Sequence, residues 1–406
     1  MEQISLSMRF YSMLMNGIGL SNLHYDKRSR RMELRHVPTV VYTLTLNVIY
    51  FLLAPSAFTV LVQSMYRCEV IGMLPMVFNV VSLAKLSSIL LLLLSLWVRR
   101  HLLSRLANDY MLLLDNYRMG LAKYCKRRCM LKLLMTSSRF YLLMVQLVGP
   151  GSAVRCNKTG VTSFSLFYLA AVLFGVMMEL LLSLTDISGY IFVVMANWVL
   201  ISMADEVNGM ILDHQTLPLR SGCIRRMAES QLLVGWRKFW QRVQSFDKLM
   251  AQLLNISQWQ MLFNLFTSYL SDIAIVFRMI IYAEYEKDFH LYRLLVYAVV
   301  CFAHHTDIMM RFHIYEKNHL HWQELLQRLG QLFTDIRPER GQLQFFRYVE
   351  FAVLRLGRQL QPNSQRVRPK HIAGLFDMSN AKAYTLTSSM AINVMLLFQI
   401  AYKNYS

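Results

Sequence analysis

Ionisable side chains inside long apolar stretches are the residues of this sequence that could do chemistry. Lys85, Arg139, Glu179, Asp272 and Arg278 lie in such stretches. Burying an ionisable group in a bilayer costs several kcal/mol, so these groups mark ion pairs or water-filled cavities. Arg139 and Glu179 could form an ion pair between two helices or line a cavity, and Lys85 could extend its ammonium group to the membrane surface.

A polar run, His304-His305-Thr306-Asp307, contains residue types that bind metals. Adjacent histidines on a helix point away from each other, so we interpret the run as a surface feature and not as a metal site. The sequence has no HExxH motif, no Gly-rich phosphate loop and no GxSxG elbow. We therefore expect no enzyme activity, no catalytic residue, no metal and no cofactor.

The composition places these groups in an all-α membrane protein. The chain has 406 residues, of which 55% are hydrophobic and 17% are charged, values unusual for a soluble domain. Seven stretches have the length of about 20 mostly apolar residues that a membrane-spanning helix needs. The predicted spans are 38–62, 71–98, 131–149, 161–203, 259–282, 291–310 and 384–402. The fourth could be two helices, but we expect one long helix that continues beyond the membrane.

Positive charge predicts the orientation of the spans. Of 43 Lys and Arg residues, 32 fall in segments 1–37, 99–130, 204–258 and 313–383, and 5 fall in the opposite loops and tail. Basic loops stay in the cytosol, so the N-terminus is predicted to be cytosolic and the tail 403–406 extracellular. The net charge of +19 then comes from the basic segments that are predicted to be cytosolic, and it does not imply nucleic-acid binding.

Two features of the predicted outer loops agree with this orientation. Asn157 begins an Asn-Lys-Thr sequon, so we expect it to be glycosylated. Cys68 and Cys156 also fall outside and could form a disulfide, although sequence cannot place their Cβ atoms.

The inner segments are helical in pattern. Apolar residues recur every three or four positions in 229–254, 322–333 and 345–360. We expect transmembrane helices 1–6 with their loops over 38–312, and anchor helices in the cytosolic segment 313–383. These extensions would form an intracellular anchor bundle, within one subunit or between subunits.

Polar and aromatic residues towards the outer side of the second to sixth spans could line an apolar cleft for a small organic ligand. They could also be the aromatic belt of the membrane interface. The candidates are Asn79, Ser82, Arg139, Tyr141, Gln146, Phe167, Tyr168, Phe277 and Tyr297.

The last span carries the most specific pattern. The chain has Gly-Leu-Phe at 374–376, and hydrophobic residues 394–398 precede Gln399. This resembles the C-terminal signature of the insect gustatory receptor family: Gly-hydrophobic-Phe, then Thr-Tyr, five hydrophobic residues and Gln-Phe. Ile-Asn at 392–393 stands in place of Thr-Tyr, and Ile400 in place of the final Phe. Length, seven spans, short outer loops and the orientation also fit the family.

The resemblance implies a ligand-gated cation channel in which four subunits surround one pore lined by the last helix. Ile392, Met395, Leu396 and Gln399 share a face of that helix. Facing a symmetry axis, they would form an apolar constriction followed by a ring of amides. Alternatively, Gln399 hydrogen-bonds a neighbouring helix.

The function implied by the resemblance is that of a gustatory receptor subunit in the plasma membrane of sensory neurons, with dendrites as the expected site. Its partners would be small extracellular tastants of a bitter or aversive kind, permeant cations, membrane lipid and identical or related subunits of a tetramer. A G-protein-coupled receptor is an alternative that the orientation opposes. A transporter is another, and the sequence has no internal repeat that would support it.

Overall fold

The computed structural model describes residues 13–19, 23–26, 31–34, 37–68, 73–148, 166–216, 222–285, 291–335, 343–359, 371–372 and 376–405. These residues are almost entirely helical, as the sequence predicted. The helices are α1 (13–17), α2 (Val37–Cys68), α3 (Met73–Val98), α4 (Arg100–Asn116), α5 (Leu121–Val148), α6 (Leu166–Thr216), α7 (Gly222–Tyr285), α8 (Leu291–Asp335), α9 (Leu343–Gln359) and α10 (Asn380–Tyr405).

Two small antiparallel hairpins complete the described structure. Strand β1 (Leu23–Asp26) pairs with β2 (Arg31–Leu34), and β3 (His371–Ile372) pairs with β4 (Phe376–Asp377). The first hairpin lies against α4, where the Met32 amide donates to Asn108 Oδ1 over 2.6 Å and Asn108 Nδ2 donates to the Met32 carbonyl over 3.0 Å. The Asn108 side chain therefore satisfies backbone groups at the edge of β2.

The helices are long enough for the predicted spans. In the described part of the chain, five stretches have the length and apolar composition to cross a membrane: Val37–Ala57, Asn79–Val98, Leu173–Asp213, Met227–Ile280 and Asn380–Lys403. The predicted third and sixth spans lie in α5 and α8, which carry charges of a buried ion cluster and are less apolar. The long fourth segment is one continuous helix of 51 residues, as expected.

Helices α6, α7 and α8 have 51, 64 and 45 residues, far more than the roughly 20 that a bilayer requires. Their extensions pack with α4 and α9 around the largest hydrophobic core of the described residues. Aromatic residues fill this core, and Phe246 stacks on Trp322 with ring centroids 5.6 Å apart. We call this assembly the anchor bundle.

A tight turn joins α4 to α5 at the edge of the anchor bundle. Gly120 has φ +82°, a conformation that favours glycine, and a Cβ at this position would lie 2.7 Å from the Trp198 ring of α6. Trp198 Nε1 also donates to the Tyr117 carbonyl over 2.9 Å. The Tyr117 hydroxyl donates to Glu206 over 2.9 Å, and burial raises the pKa of Tyr117, so the phenol stays protonated.

Smaller cores lie in the predicted membrane region. One joins α2, α3 and α6, and a second joins α3, α7 and α10 through Val81, Phe277 and Ala401. Further cores place α10 against α7 and α8. The last helix thus lies beside two of the longest helices, which run on into the anchor bundle.

Candidate functional site

A side chain of α8 caps the N-terminus of α10. The Asn380 amide donates to Glu316 Oε2 of α8 over 3.2 Å, and the Lys382 amide donates to Ser379 Oγ over 3.4 Å. These bonds satisfy two of the four backbone amides that a helix leaves unpaired at its N-terminus, and the Glu316 carboxylate complements the helix dipole.

The two faces of α10 differ in what they touch. Ala383, Met390, Val394 and Ala401 are buried against neighbouring helices. The opposite face is uncovered in the single chain. Ile392, Met395 and Leu396 are 61%, 57% and 49% exposed, and Gln399 is also exposed. The four predicted pore-lining residues therefore lie together on the face of α10 that this subunit does not cover.

A group of hydrogen bonds attaches the middle of α10 to α7. The Tyr269 hydroxyl of α7 lies 2.9 Å from Ser389 Oγ, and Asn393 Nδ2 donates to the Tyr269 hydroxyl over 2.6 Å. Asn393 stands where the family signature has Tyr. In this chain Asn393 contacts a tyrosine of the neighbouring helix, Tyr269 of α7.

A second attachment joins α10, at Thr387, to α8 and α7. Asp272 of α7 is buried, and its two carboxylate oxygens lie 2.8 Å from His304 Nδ1 and 3.1 Å from His305 Nδ1 of α8. His305 Nε2 lies 3.3 Å from Thr387 Oγ1 of α10. We call these four residues the histidine latch.

The interpretation of the His304-His305-Thr306-Asp307 run as a surface feature was wrong. A single carboxylate from α7, that of Asp272, lies within hydrogen-bond distance of both rings and accepts from both. His304 and Asp307 are buried, and Asp307 belongs to a separate ion cluster. In the part of the chain that is described, no group of three His, Cys, Asp or Glu is placed to hold a metal ion.

That ion cluster joins α5, α6 and α8. Lys132 Nζ lies 2.6 Å from both Asp186 Oδ2 and Asp307 Oδ1, and Arg311 lies 3.1 Å from Asp186 and 3.0 Å from Asp307. Two cations and two anions give no net charge, which makes their burial tolerable. Ser268 of α7 also receives a 3.3 Å hydrogen bond from Arg311.

Ser268 and Asp272 are one turn apart on α7, so the ion cluster and the histidine latch are stacked along the same pair of helices. Side chains in polar contact thus connect α5 and α6, through α7 and α8, to α10. In the sequence, the signal for these contacts was a single charged residue inside an apolar segment, which indicates that a polar partner lies nearby. The spacing of four residues between Asp307 and Arg311 was a further signal, because such pairs face each other on a helix.

The structure also corrects the expectation for Lys85. Its ammonium group lies 2.8 Å from Glu179 Oε2, so Lys85 forms an ion pair between α3 and α6 and does not extend to the membrane surface. The partner of Glu179 in this contact is therefore Lys85. The side chain of Arg139 lies outside the described residues.

The predicted ligand-cleft residues are only partly described. Phe277 is fully buried between α3 and α10, Ser82 is half-buried and Asn79 is exposed. The backbone of the others lies in α5, α6 and α8, but their side chains are outside the described residues: Arg139, Tyr141, Gln146, Phe167, Tyr168 and Tyr297. Asn157, Cys156 and the side chain of Cys68 also lie outside the described residues.

Comparison with known proteins gives one consistent result. The family model of the 7tm chemosensory receptors matches residues 8–404. The chain is 42% identical over 395 residues to the Drosophila melanogaster protein named "Putative gustatory receptor 58c", covering 96% of each chain.

Solved structures of the insect olfactory receptor OR5 from Machilis hrabei share the fold. One matches with a TM-score of 0.64 at 10% identity. A second, of OR5 in complex with eugenol, matches with a TM-score of 0.62 at 12% identity. Each match covers 98% of this chain and 99% of the olfactory receptor chain.

Proposed function

The chain belongs to the 7tm chemosensory receptor family, and we propose that it is a gustatory receptor subunit that forms a ligand-gated cation channel. Its family makes it a membrane receptor and not an enzyme. In the proposal, small extracellular tastants, of a bitter or aversive kind, open the channel in the plasma membrane of sensory neurons. Four subunits, identical or related, surround one pore.

The uncovered face of α10 is the observation that carries the proposal. One side of this helix is fixed to α7 and α8, while Ile392, Met395, Leu396 and Gln399 are exposed. In a tetramer with α10 nearest the axis, these residues would line the pore. Their side chains suit the role, because an apolar ring can close a pore by excluding water and a ring of amides can replace part of an ion's hydration shell.

Gating in this proposal follows from preferential binding. A tastant opens the channel only if it binds the open arrangement more tightly than the closed one. In the proposal, the ligand cleft lies among the outer parts of the second to sixth spans, which contain Ser82 and the other sequence candidates. Opening would move the four α10 helices apart.

The first experiment tests the pore face with cysteine substitutions. Cells expressing Ile392→Cys, Leu396→Cys or Gln399→Cys receive a panel of bitter compounds such as caffeine, quinine and denatonium. A charged, membrane-impermeant thiol reagent is added during the response. We expect irreversible block of the current in these variants.

Val394→Cys is the matched control, since Val394 is 4% exposed and lies on the opposite face of the same helix. The reagent should leave its current unchanged. Equal block of Val394→Cys and Leu396→Cys, or block of neither while both are at the cell surface, would contradict the pore assignment.

Orientation is tested separately with tags at the two termini. Antibodies should reach a C-terminal tag on intact cells and an N-terminal tag only after permeabilisation. Glycosidase should shift the mobility of the wild type but not of Asn157→Gln. Access to the N-terminal tag alone on intact cells would reverse the proposed orientation.

A further inference from the structure

We propose that the groove between α4 and α7 binds the headgroup of a phosphoinositide, an inner-leaflet lipid whose inositol ring carries phosphates. The groove lies in the anchor bundle and has a volume of about 440 Å³, within the range of small-molecule sites. A lipid site here goes beyond the proposed channel function. It rests on the proposed orientation, which places the anchor bundle in the cytosol and which the terminal tags test separately.

Hydrogen-bond donors dominate the polar lining of this α4–α7 groove. Phosphate oxygens accept several hydrogen bonds and are bound most strongly by charged donors. Three cations and one carboxylate line the groove, so its net charge is positive and favours an anion. The side chains that can donate come from both helices: Arg105, Asn116, Arg242, Ser245, Lys248 and Gln252.

Two of the three cations are available to a ligand. Arg105 of α4 and Lys248 of α7 are exposed, and neither forms an ion pair with another described residue. The third, Arg242, is held in place, because its Nη2 donates to Glu206 and its guanidinium group lies 5.5 Å from the centre of the Tyr117 ring. The groove thus combines one fixed cation with two cations that no described carboxylate neutralises.

The groove begins just beyond the membrane end of α4. The apolar stretch Asn79–Val98 of α3 ends two residues before α4. Backbone hydrogen bonds from Arg99 to Ser95 over 3.1 Å and from Leu103 to Arg99 over 2.9 Å continue the helical path from α3 into α4. At 1.5 Å per residue, Arg105 therefore lies about 10 Å beyond Val98.

The α7 side of the groove lies at a similar level. Lys248 precedes Trp259, the predicted start of the fifth span, by eleven residues, or about 16 Å of helix. Between the groove and the span, the Arg99 guanidinium group donates to the Ile256 carbonyl of α7 over 2.6 Å. This bond ties the two walls of the groove together at their membrane end.

These depths distinguish between classes of lipid. Headgroups occupy a layer of about 5–8 Å on each side of the hydrocarbon core. Cations that lie about 10 and 16 Å from the core are therefore beyond the phosphates of ordinary phospholipids. A phosphoinositide reaches further, because its additional phosphates lie on the side of the inositol ring away from the glycerol. Basic pockets at the cytoplasmic ends of membrane helices are typical sites for such headgroups.

Asp109 favours an inositol ring over a bare phosphate. Its carboxylate lines the groove one turn after Arg105 on α4. A carboxylate repels a phosphate, but it accepts hydrogen bonds from the free hydroxyls of inositol. Leu102, Leu106 and Leu249 also line the groove and offer apolar surface to the C–H groups of the ring. Donors, one acceptor and apolar walls together match the three kinds of group that the headgroup presents.

A binding measurement on the purified full-length receptor in neutral detergent tests the site. The probe is fluorescent dioctanoyl phosphatidylinositol 4,5-bisphosphate, and its polarisation is recorded as receptor is added. We expect the double variant Arg105→Gln, Lys248→Gln to bind the probe about tenfold more weakly than the wild type, because charged hydrogen bonds to phosphate are lost. Unchanged affinity in this variant would overturn the proposal.

The matched control is the double variant Lys123→Gln, Lys238→Gln, which removes the same charge from exposed positions outside the groove. It should bind like the wild type, and an equal loss in the two double variants would overturn the groove as the site. Ser245→Trp keeps every charge and places a large ring in the groove, so it should also weaken binding. A folded Ser245→Trp receptor with wild-type affinity would contradict the site as well.

Competition distinguishes a lipid from a soluble phosphate. Inositol 1,4,5-trisphosphate should compete about tenfold less well than unlabelled dioctanoyl bisphosphate, because it lacks the chains that hold the headgroup near the groove. Equal or stronger competition by the trisphosphate would overturn the lipid assignment in favour of a soluble ligand. Equal competition by dioctanoyl phosphatidylserine would overturn specificity for the inositol headgroup. These measurements need no current, so a receptor that binds the probe but stays silent would count against the channel function alone.

Discussion

The anchor bundle and α10 are held in place by different forces. In the anchor bundle, Trp236, Phe239, Phe246 and Trp322 lie in one continuous apolar core. Helix α10 buries smaller patches, leaves one face uncovered and forms hydrogen bonds with Tyr269 and His305. Apolar burial has no directional preference and is lost only when the helices separate, whereas hydrogen bonds can be exchanged for others. The difference suits a fixed base and a moving helix.

The largest effect is expected from a cavity in the anchor bundle. Phe239 is 0% exposed, so Phe239→Ala should destabilise the protein by about 3–5 kcal/mol. Thermal unfolding in detergent and the surface expression of the receptor measure the loss. Val234→Ala on the same helix is the control, because Val234 is 48% exposed and its truncation should have little effect. Similar melting temperatures for the two variants would mean that the anchor bundle does not dominate stability.

The ion cluster joins α5 and α6 to α8, one of the two helices that hold α10. Lys132→Met removes the cation shared by Asp186 and Asp307, and should cost about 3–5 kcal/mol because it leaves buried negative charge unbalanced. The double variant Lys132→Met, Asp186→Leu removes one charge of each sign and should recover part of the loss. A double variant that melts no higher than Lys132→Met would argue against charge balance as the cause.

The turn at Gly120 tests how precisely the anchor bundle is packed. Gly120→Ala combines a positive φ with a Cβ that would lie 2.7 Å from Trp198, so we expect a loss of about 1–3 kcal/mol. Unfolding experiments should show the loss in Gly120→Ala and none in Gly209→Ala, where a Cβ meets nothing within 4 Å and alanine favours the helix by about 0.5–1 kcal/mol. Equal stability of the two variants would mean that the turn relaxes without cost.

The smallest change in stability is expected at α10 itself. Tyr269→Phe keeps the ring and removes the hydroxyl that contacts Ser389 and Asn393, which should cost about 1 kcal/mol. The variant should nevertheless alter gating, seen as a shifted concentration dependence of the response. A large fall in stability with unchanged gating would reverse the contrast between the two regions.

Local sequence patterns were sufficient for the helices but not for their partners. Apolar length and periodicity predicted the helices, the continuous α6 and the packing of 229–254 in the anchor bundle, because these patterns depend on neighbours in sequence. The shared face of Ile392 and Gln399 followed from helical geometry in the same way. Its exposure could not be predicted, since that depends on where α7 and α8 lie.

The polar contacts show the limit most clearly. Helical geometry alone led to a surface interpretation of His304 and His305, because it could not show that Asp272 of α7 contacts both rings. For Lys85 the sequence suggested an extension to the membrane surface, and it did not reveal the partner Glu179, which lies on another helix. A lone charge in an apolar segment predicts that a partner exists, and only the packing of the helices identifies it.

The central claim is that the exposed face of α10 lines a cation pore, and the charge at position 399 tests it most directly. Single-channel conductance should rise in Gln399→Glu and fall in Gln399→Lys, because four copies of the charge would attract or repel cations at one ring. Both variants should reach the cell surface. The same conductance in the wild type and both variants would contradict the claim and place the permeation path elsewhere.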